Sequence, residues 1–402
     1  MATCRRNRID RRRRRCINDV TDDILIEILN RTDCRFVMRC KSVCKRWLNL
    51  ISQPDFIRGF VAHRTQNQQQ PRESLILHRR NVENRSLSFL FDADEKISIS
   101  FLPGKFREIE IVGSCSGLLL CLDVRMCEYY ICNPFTEQWV KLGCLHHTGS
   151  HVYVGFIRGQ VSMSPGSVSF KVIVIGCTLS NEARTRHIKM YIFSSECGKW
   201  VEKKITLADE IGILGTSRSA VIYDEKMHWP TSDNKILVCV YRTNKIHYFD
   251  GPSTDIEEEE TYPDDASMRL LLGLWQNTLR LSQIIVSDLK IWQLKDYESK
   301  EWSLTHKVNL YSMSVPHPIR SWLAKEPYYG PHPRVLNFSR DDQDVVYLHM
   351  TRGFVVSCNL RDDNWKILCE TWGSRFSNIV VPLLVPHWPT PLPSISRPAV
   401  SF

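Results

Sequence analysis

The feature that most limits what this chain can fold into is a helical periodicity that stops. Between Thr21 and Phe56 the apolar residues fall at helical spacing, and beyond it they come in short strand-like runs. Ile24, Leu25, Ile28 and Leu29 fall at i, i+1, i+4 and i+5, one face of a 3.6-residue helix. Thr21 can cap that helix, and Asp22 and Asp23 place negative charge at its positive end. Asp33 can cap a second helix carrying Phe36, Val37 and Cys40. Val43, Cys44, Trp47, Leu50 and Ile51 continue the pattern into a third, which Pro54 is expected to end. Three helices this short enclose little core, and such segments are marginal without tertiary partners. An apolar face left over on such a unit suits a partner helix in a groove.

The same stretch resembles the F-box. The matching residues are Asp22-Asp23-Ile24-Leu25, Glu27-Ile28-Leu29, Arg31, the pentad Val43-Cys44-Lys45-Arg46-Trp47, then Leu50-Ile51 and Pro54-Asp55-Phe56. The family usually has Leu-Pro where this chain has Val20-Thr21, and again where it has Thr32-Asp33. The resemblance implies contact with a Skp-type adaptor, and through it a cullin–RING ligase, by Val20, Ile24, Leu25, Ile28, Leu29, Val37, Val43, Cys44 and Trp47.

Gln66 to Arg72 is a polar connector ending in Pro71. After it come Leu75 to His78, Leu87 to Phe91, Ile97 to Phe101 and Ile109 to Val112, and apolar runs broken by Gly, Asn, Asp, Ser and Pro continue in an all-β pattern. Five segments share a plan of strand, strand, polar turn, then Trp or Phe leading into a strand. They span Gly117–Leu142, Val168–Ile205, Arg218–Phe249, Leu279–Leu310 and Val335–Leu368. Their landmark aromatics, Trp139, Trp200, Phe249, Trp302 and Trp365, recur at intervals that allow one propeller blade each, at roughly 40–50 residues per blade plus insertions. Leu75 to Val112 can supply another blade or a closing strand. Trp139, Trp200, Trp292, Trp302 and Trp365 lie within strand patterns and are expected to pack between blades.

This body is similar to the F-box-associated domain of plant F-box proteins, with its kelch-like appearance. The residues are Ser114-Cys115-Ser116-Gly117-Leu118-Leu119, Asn133-Pro134-Phe135-Thr136 with Trp139, Tyr191-Ile192-Phe193-Ser194-Ser195 with Gly198 and Trp200, Leu279-Arg280-Leu281, and Ile291 to Tyr297 with Trp302. The glycine pair of true kelch repeats is missing. The fold class expected is therefore α+β and multidomain: a three-helix F-box followed by an all-β propeller of about six blades. The expected boundaries are a disordered arginine-rich tail at 1–16, the F-box at 17–60, a linker at 61–72, the β body at 73–381 and a loose proline-rich tail at 382–402.

Composition removes several function classes. Of the formal charge of +9, residues 1–16 carry most, with eight arginines against one aspartate. A nearly neutral body argues against nucleic-acid binding there, because such binding needs a clustered basic face. The run Arg11 to Arg15 can act as a nuclear localisation signal, touch RNA or phosphate weakly, or stay solvated. A nuclear or cytoplasmic location is expected. No apolar run nears the ~18–20 residues that span a bilayer, so no membrane partner is expected. Fifteen cysteines without a regular framework suit a reducing compartment.

No converging catalytic constellation is visible, and neither a catalytic role, a cofactor nor a metal is expected. The phosphate-cradling glycine loop, G-x-S-x-G and H-E-x-x-H are all missing. Cys40 and Cys44 sit on apolar faces and read as packing. His146, His147 and His151 near Cys144 lack a second ligand pair at zinc spacing. What remains is a substrate receptor of a Skp–cullin–F-box ubiquitin ligase, a binding protein outside any ligase, or, more remotely, an RNA-associated protein using its tail. As a receptor it raises the effective concentration of target lysines near a charged conjugating enzyme. Its protein target is not named by the sequence. The long loop Pro316–Pro333 carries Trp322, Tyr328 and Tyr329, and exposed aromatics are frequent interface hot spots, so these three are the expected target contacts. The acidic stretch Glu257 to Glu260 reads as a solvated loop.

Overall fold

A computed structural model of the chain describes residues 20–67, 72–79, 86–89, 96–103, 109–145, 152–161, 168–177, 184–212, 218–253, 270–285, 287–316, 319, 333–350, 354–370, 376–393 and 395. These fall into two compact units. One lies within Met1–Pro71 together with His387–Pro389, the other within Arg72–Pro386 together with Thr390–Phe402.

The first unit has four helices: α1 (Asp22–Asn30), α2 (Cys34–Cys40), α3 (Lys45–Ser52) and α4 (Pro54–Gln66). Four, rather than three, corrects the sequence expectation. Pro54 does not end the pattern. It opens α4 from the first helical position, where its missing N–H is not needed and its fixed φ suits the helix. Half of the stretch read as a linker, up to Gln66, is therefore helical. Asp33 caps α2 as expected, its carboxylate accepting from Phe36 N at 2.9 Å. Thr21 stands at the cap of α1, but its side chain makes no capping bond. The core is Leu25, Leu29, Val37, Cys40, Trp47, Leu50, Ile51, Phe56 and Phe60. Trp388, from the far end of the sequence, packs against it.

The second unit is all-β, with six sheets among the described residues. Five are built from consecutive strands. β4 (Ile109–Cys115), β5 (Leu118–Asp123), β6 (Glu128–Asn133) and β7 (Gln138–Cys144) form one. β8 (Val152–Val161), β9 (Val168–Cys177), β10 (Arg184–Ser194) and β11 (Lys199–Gly212) form the next, with β12 (Arg218–Ser219) added parallel to β8. The third is β13 (Val221–Tyr223), β14 (Lys226–Pro230), β15 (Lys235–Val240) and β16 (Ile246–Asp250). The fourth is β17 (Leu270–Trp275), β18 (Thr278–Ile285), β19 (Asp288–Asp296) and β20 (Glu301–Asn309). The fifth is β21 (Arg334–Phe338), β22 (Val345–Met350), β23 (Phe354–Asn359) and β24 (Asn364–Glu370).

The sixth sheet joins the two ends of the body. β1 (Arg72–Arg79), β2 (Ser86–Phe89) and β3 (Lys96–Ser98) are extended by β25 (Phe376–Val385), in the order β25-β1-β2-β3. β25 pairs antiparallel with β1 from Arg72↔Val385 to Arg79↔Phe376. The first strands of the sheets meet around a ring: β4 lies against β25 and β8, and β21 against β17 and β25. The five repeats read from the sequence match the five contiguous sheets, although three of them, those starting at Gly117, Val168 and Leu279, begin one strand late. The expected count of about six blades is corrected to five blades of consecutive strands, plus one sheet assembled from both termini.

Burial follows position in each sheet. β5 is buried at all six positions, as expected of a strand covered on both faces. The outermost strand of the same sheet, β7, is mostly exposed, and β20, outermost in its own sheet, is exposed or half-buried throughout. This separates the tryptophans. Trp292 on β19 is buried, and Trp200 packs between Tyr129 and Phe193 at 5.4 Å from each ring. Trp302 and Trp365 are half-buried against the cores. Trp139, on an outermost strand, is exposed and only edges onto Tyr130, contrary to the inter-blade role expected of it.

The stretch read as a loose tail from 382 is another correction. Pro382–Val385 belongs to β25, and residues beyond it are held by the first contiguous sheet. Asn133 donates its side-chain amide to Thr390 O at 2.8 Å, and the Thr390 hydroxyl donates to Ser116 O. Ser114 Oγ donates to Pro382 O. Gly117 sits at φ +82, with Pro386 so near that a Cβ would lie 2.6 Å from its ring. The Ser114–Gly117 and Asn133–Thr136 motifs are thus the docking points of the C-terminal segment.

Candidate partner-binding site

The helical unit divides its apolar residues between an inside and an outside. The doublets Ile24-Leu25 and Ile28-Leu29 place two residues per turn on α1, and only one of each can point into a core this narrow. Leu25 and Leu29 go in. Ile24 and Ile28 stay 55% and 41% exposed, aligned at i and i+4. Asp23, Ile24, Glu27, Ile28 and Arg31 line a shallow open groove of about 300 Å³ there. Arg31 spans one side of it, donating to Glu27 Oε1 at 2.6 Å.

The pentad is spread in the same way. Val43 ends a tight turn closed by its N–H to Cys40 O at 3.1 Å, and is 55% exposed. Cys44 is the extended N-cap of α3 and half-buried. Lys45 opens α3, and Trp47 is buried in the core. Arg46 reaches back to the start of α1, donating from Nε to Asp22 Oδ1 at 2.8 Å and from Nη2 to Val20 O at 2.5 Å. That pair of bonds holds the α1 N-terminus against α3 and accounts for the position of Val20.

Of the nine residues expected to meet an adaptor, Leu25, Leu29, Val37 and Trp47 are therefore core. Ile24, Ile28 and Val43 are surface, and Val20 and Cys44 are half-buried. Two exposed apolar residues were not among the nine: Phe36 on α2 and Leu48 on α3. Each adjoins a buried residue, Val37 and Trp47, and that adjacency was the available signal. Trp322, Tyr328 and Tyr329 lie outside the described residues, as do the loop histidines, Glu257 to Glu260 and Arg11 to Arg15.

The titratable groups describe packing. Burial pushes the Cys34, Cys239 and Cys358 thiols up to about 12, and Cys40 is raised by burial as well. Thiols held protonated are poor nucleophiles. Burial pushes His228 and His349 down to about 4. His228 lies 2.9 Å from Tyr297 Oη and 3.3 Å from Val221 O, so its ring is spent on packing contacts. Cys121 and Cys132 touch at 3.8 Å inside the first contiguous sheet. Asp296 accepts from Ser299 N at 2.8 Å as an ordinary turn residue. Among the described residues no group of three or more His, Cys, Asp or Glu side chains could hold a metal ion. No described helix is long and apolar enough to cross a membrane.

Comparison with known proteins agrees with this division. Residues 17–59 match the F-box domain, and residues 92–250 match the family described as F-box protein At3g26010-like, beta-propeller. Arabidopsis thaliana F-box protein At5g07610 is 26% identical over 379 residues, covering 87% of this chain and 85% of its own length. Putative F-box/kelch-repeat protein At4g22430 from the same plant is 24% identical over 370 residues, covering 87% and 80%. The chain thus carries an F-box domain at its N-terminus and a β-propeller domain of F-box proteins behind it.

Proposed function

We propose that this protein is the substrate-recognition subunit of a Skp–cullin–F-box ubiquitin ligase. F-box domains bind Skp1-type adaptors of cullin ligases, and an F-box followed by a β-propeller is a typical non-enzymatic adaptor architecture. In this reading the helices grip the adaptor, the β body holds a protein target, and catalysis belongs to the other subunits. Proximity is the mechanism: a tethered target presents its lysines at high effective concentration.

The observation that carries the reading is the outward pair Ile24 and Ile28 with Val43, on a unit whose core is already complete without them. Apolar side chains left in water at helical spacing are what a partner would cover. The Asp33 cap supports adaptor binding by this chain, because it starts α2 where the family's proline usually does.

The test is titration of full-length protein with a Skp-type adaptor, comparing wild type with Ile24→Glu/Ile28→Glu. Burying one isoleucine contributes about 1.5–3 kcal/mol, so losing two predicts a fall in affinity of ~10²–10⁴-fold. Both positions face solvent, so circular dichroism should be unchanged. Wild-type affinity in the double variant would overturn the assignment.

A further inference from the structure

We infer that the adaptor-binding unit is not complete in the N-terminal segment and that Trp388 is a positioning residue for it, some 320 residues downstream of α4. This rests on the adaptor reading for its functional consequence, but its structural half stands alone. His387–Pro389 belongs to the helical unit, while Pro386 before it and Thr390 after it belong to the β body. The Trp388 ring meets Phe60 edge-on at 5.5 Å and Phe56 at 6.1 Å, both at an interplanar angle of 71°. That is the favoured T-shaped arrangement of aromatic pairs. Phe56 and Phe60 themselves pack at 6.1 Å on one face of α4, so three rings form a cluster.

Lys41, the residue that follows α2, lies with Nζ 5.5 Å from the Trp388 ring, and burial holds its ammonium below the usual lysine range. A partly desolvated cation over an indole face is a favourable contact. Trp388 therefore touches α4 and the end of α2 together. Lys41 lies inside the turn that runs from Cys40 to the exposed Val43, so what fixes Lys41 also fixes one edge of the proposed adaptor face.

Phe56 and Phe60 are buried with the Trp388 ring present. α4 alone is thirteen residues, and a helix of that length is marginal in water without tertiary contacts. Phe56 and Phe60 are the α4 residues whose packing depends on the Trp388 ring.

The experiment uses the full chain with Trp388→Ala, Trp388→Leu and Trp388→Phe, read in two ways. Hydrogen exchange of α4 amides reports the helical unit without any partner. Adaptor titration reports the site. The alanine variant is expected to speed α4 exchange by ~tenfold or more, as local opening becomes easier, and to weaken adaptor binding with it. Phenylalanine should restore most of both, and leucine should fall between them, giving the graded effect if the alanine variant does not accumulate. Unchanged α4 exchange in the leucine or alanine variant overturns the inference. So does weakened adaptor binding without faster exchange, because Trp388 would then act elsewhere. Faster exchange in a protein whose wild type never binds the adaptor leaves Trp388 in its place and removes the functional reading instead.

Discussion

The helical unit and the β body treat apolar surface in opposite ways. The helical unit has one small core of nine buried residues, yet it exposes Ile24, Ile28, Phe36, Val43 and Leu48. Among its described residues the β body exposes Val124, Met126, Trp139, Val201 and Leu304, spread over many more residues. Its buried apolar residues gather in five clusters. A sheet packed on both sides by neighbouring sheets uses its apolar residues up. A bundle of short helices has a narrow core and more apolar residues than that core can take. The surplus is the part available to a partner.

The largest expected effect breaks the core of the smaller unit. Leu29 is fully buried, and truncating such a side chain costs about 2–5 kcal/mol, a large share of what a unit this small can hold. Leu29→Ala should melt the helices and abolish adaptor binding while tryptophan fluorescence from the β body keeps its own transition. A single shared transition, shifted as a whole, would show that the two units do not unfold separately. Set beside Ile24→Glu/Ile28→Glu, this variant separates lost binding from lost folding.

The next effect belongs to the β body and depends on pH. Burial holds His228 and His349 at about 4 against an ordinary value of 6.5. The unfolded chain therefore takes up more protons between those limits. Stability from the neutral rings is present above about 6.5 and is lost as pH falls toward about 4, by at most about 1.4 kcal/mol per pH unit for each histidine. Urea midpoints of the β body should drop between pH 7 and pH 5, and His228→Gln should flatten the slope. A midpoint independent of pH across that range would count against both buried histidines.

The smallest effect returns to the helices. Asp33→Ala removes the carboxylate that accepts from Phe36 N and should cost about 1 kcal/mol. Asp33→Ser should recover most of it, since a hydroxyl serves the same N–H. Chemical denaturation followed by circular dichroism at the helical unit's transition measures this directly, and identical midpoints for alanine and wild type would show that the cap is idle.

Much of this was legible because it is local. The spacing of Ile24, Leu25, Ile28 and Leu29 announced α1, Asp33 announced the cap of α2, and the alternation of apolar runs with turn residues announced the strands. α4 was missed because the same residue, proline, stops a helix from inside and starts one from its first position. Whether Pro54 ended α3 or opened α4 depended on Phe56 and Phe60 having a core to enter. At the candidate site the helix face was readable, but its division was not. Ile24 and Leu25 are equal in hydrophobicity and adjacent in sequence, and only the position of α4 and α3 decides which one is covered.

By itself, then, the sequence determined the first three helices, the strand-rich body with its five repeats, and the family resemblance of both units, since each of these rests on residues near one another in the chain. The tertiary structure alone decided the sixth sheet, where Arg72–Arg79 meets Phe376–Val385, the capture of a proline-rich end by Asn133 and Gly117, and the placing of Trp388 on Phe60. Those pairings join residues about 300 positions apart. No local propensity encodes such a contact, because its free energy exists only once the chain between has folded and brought the partners together.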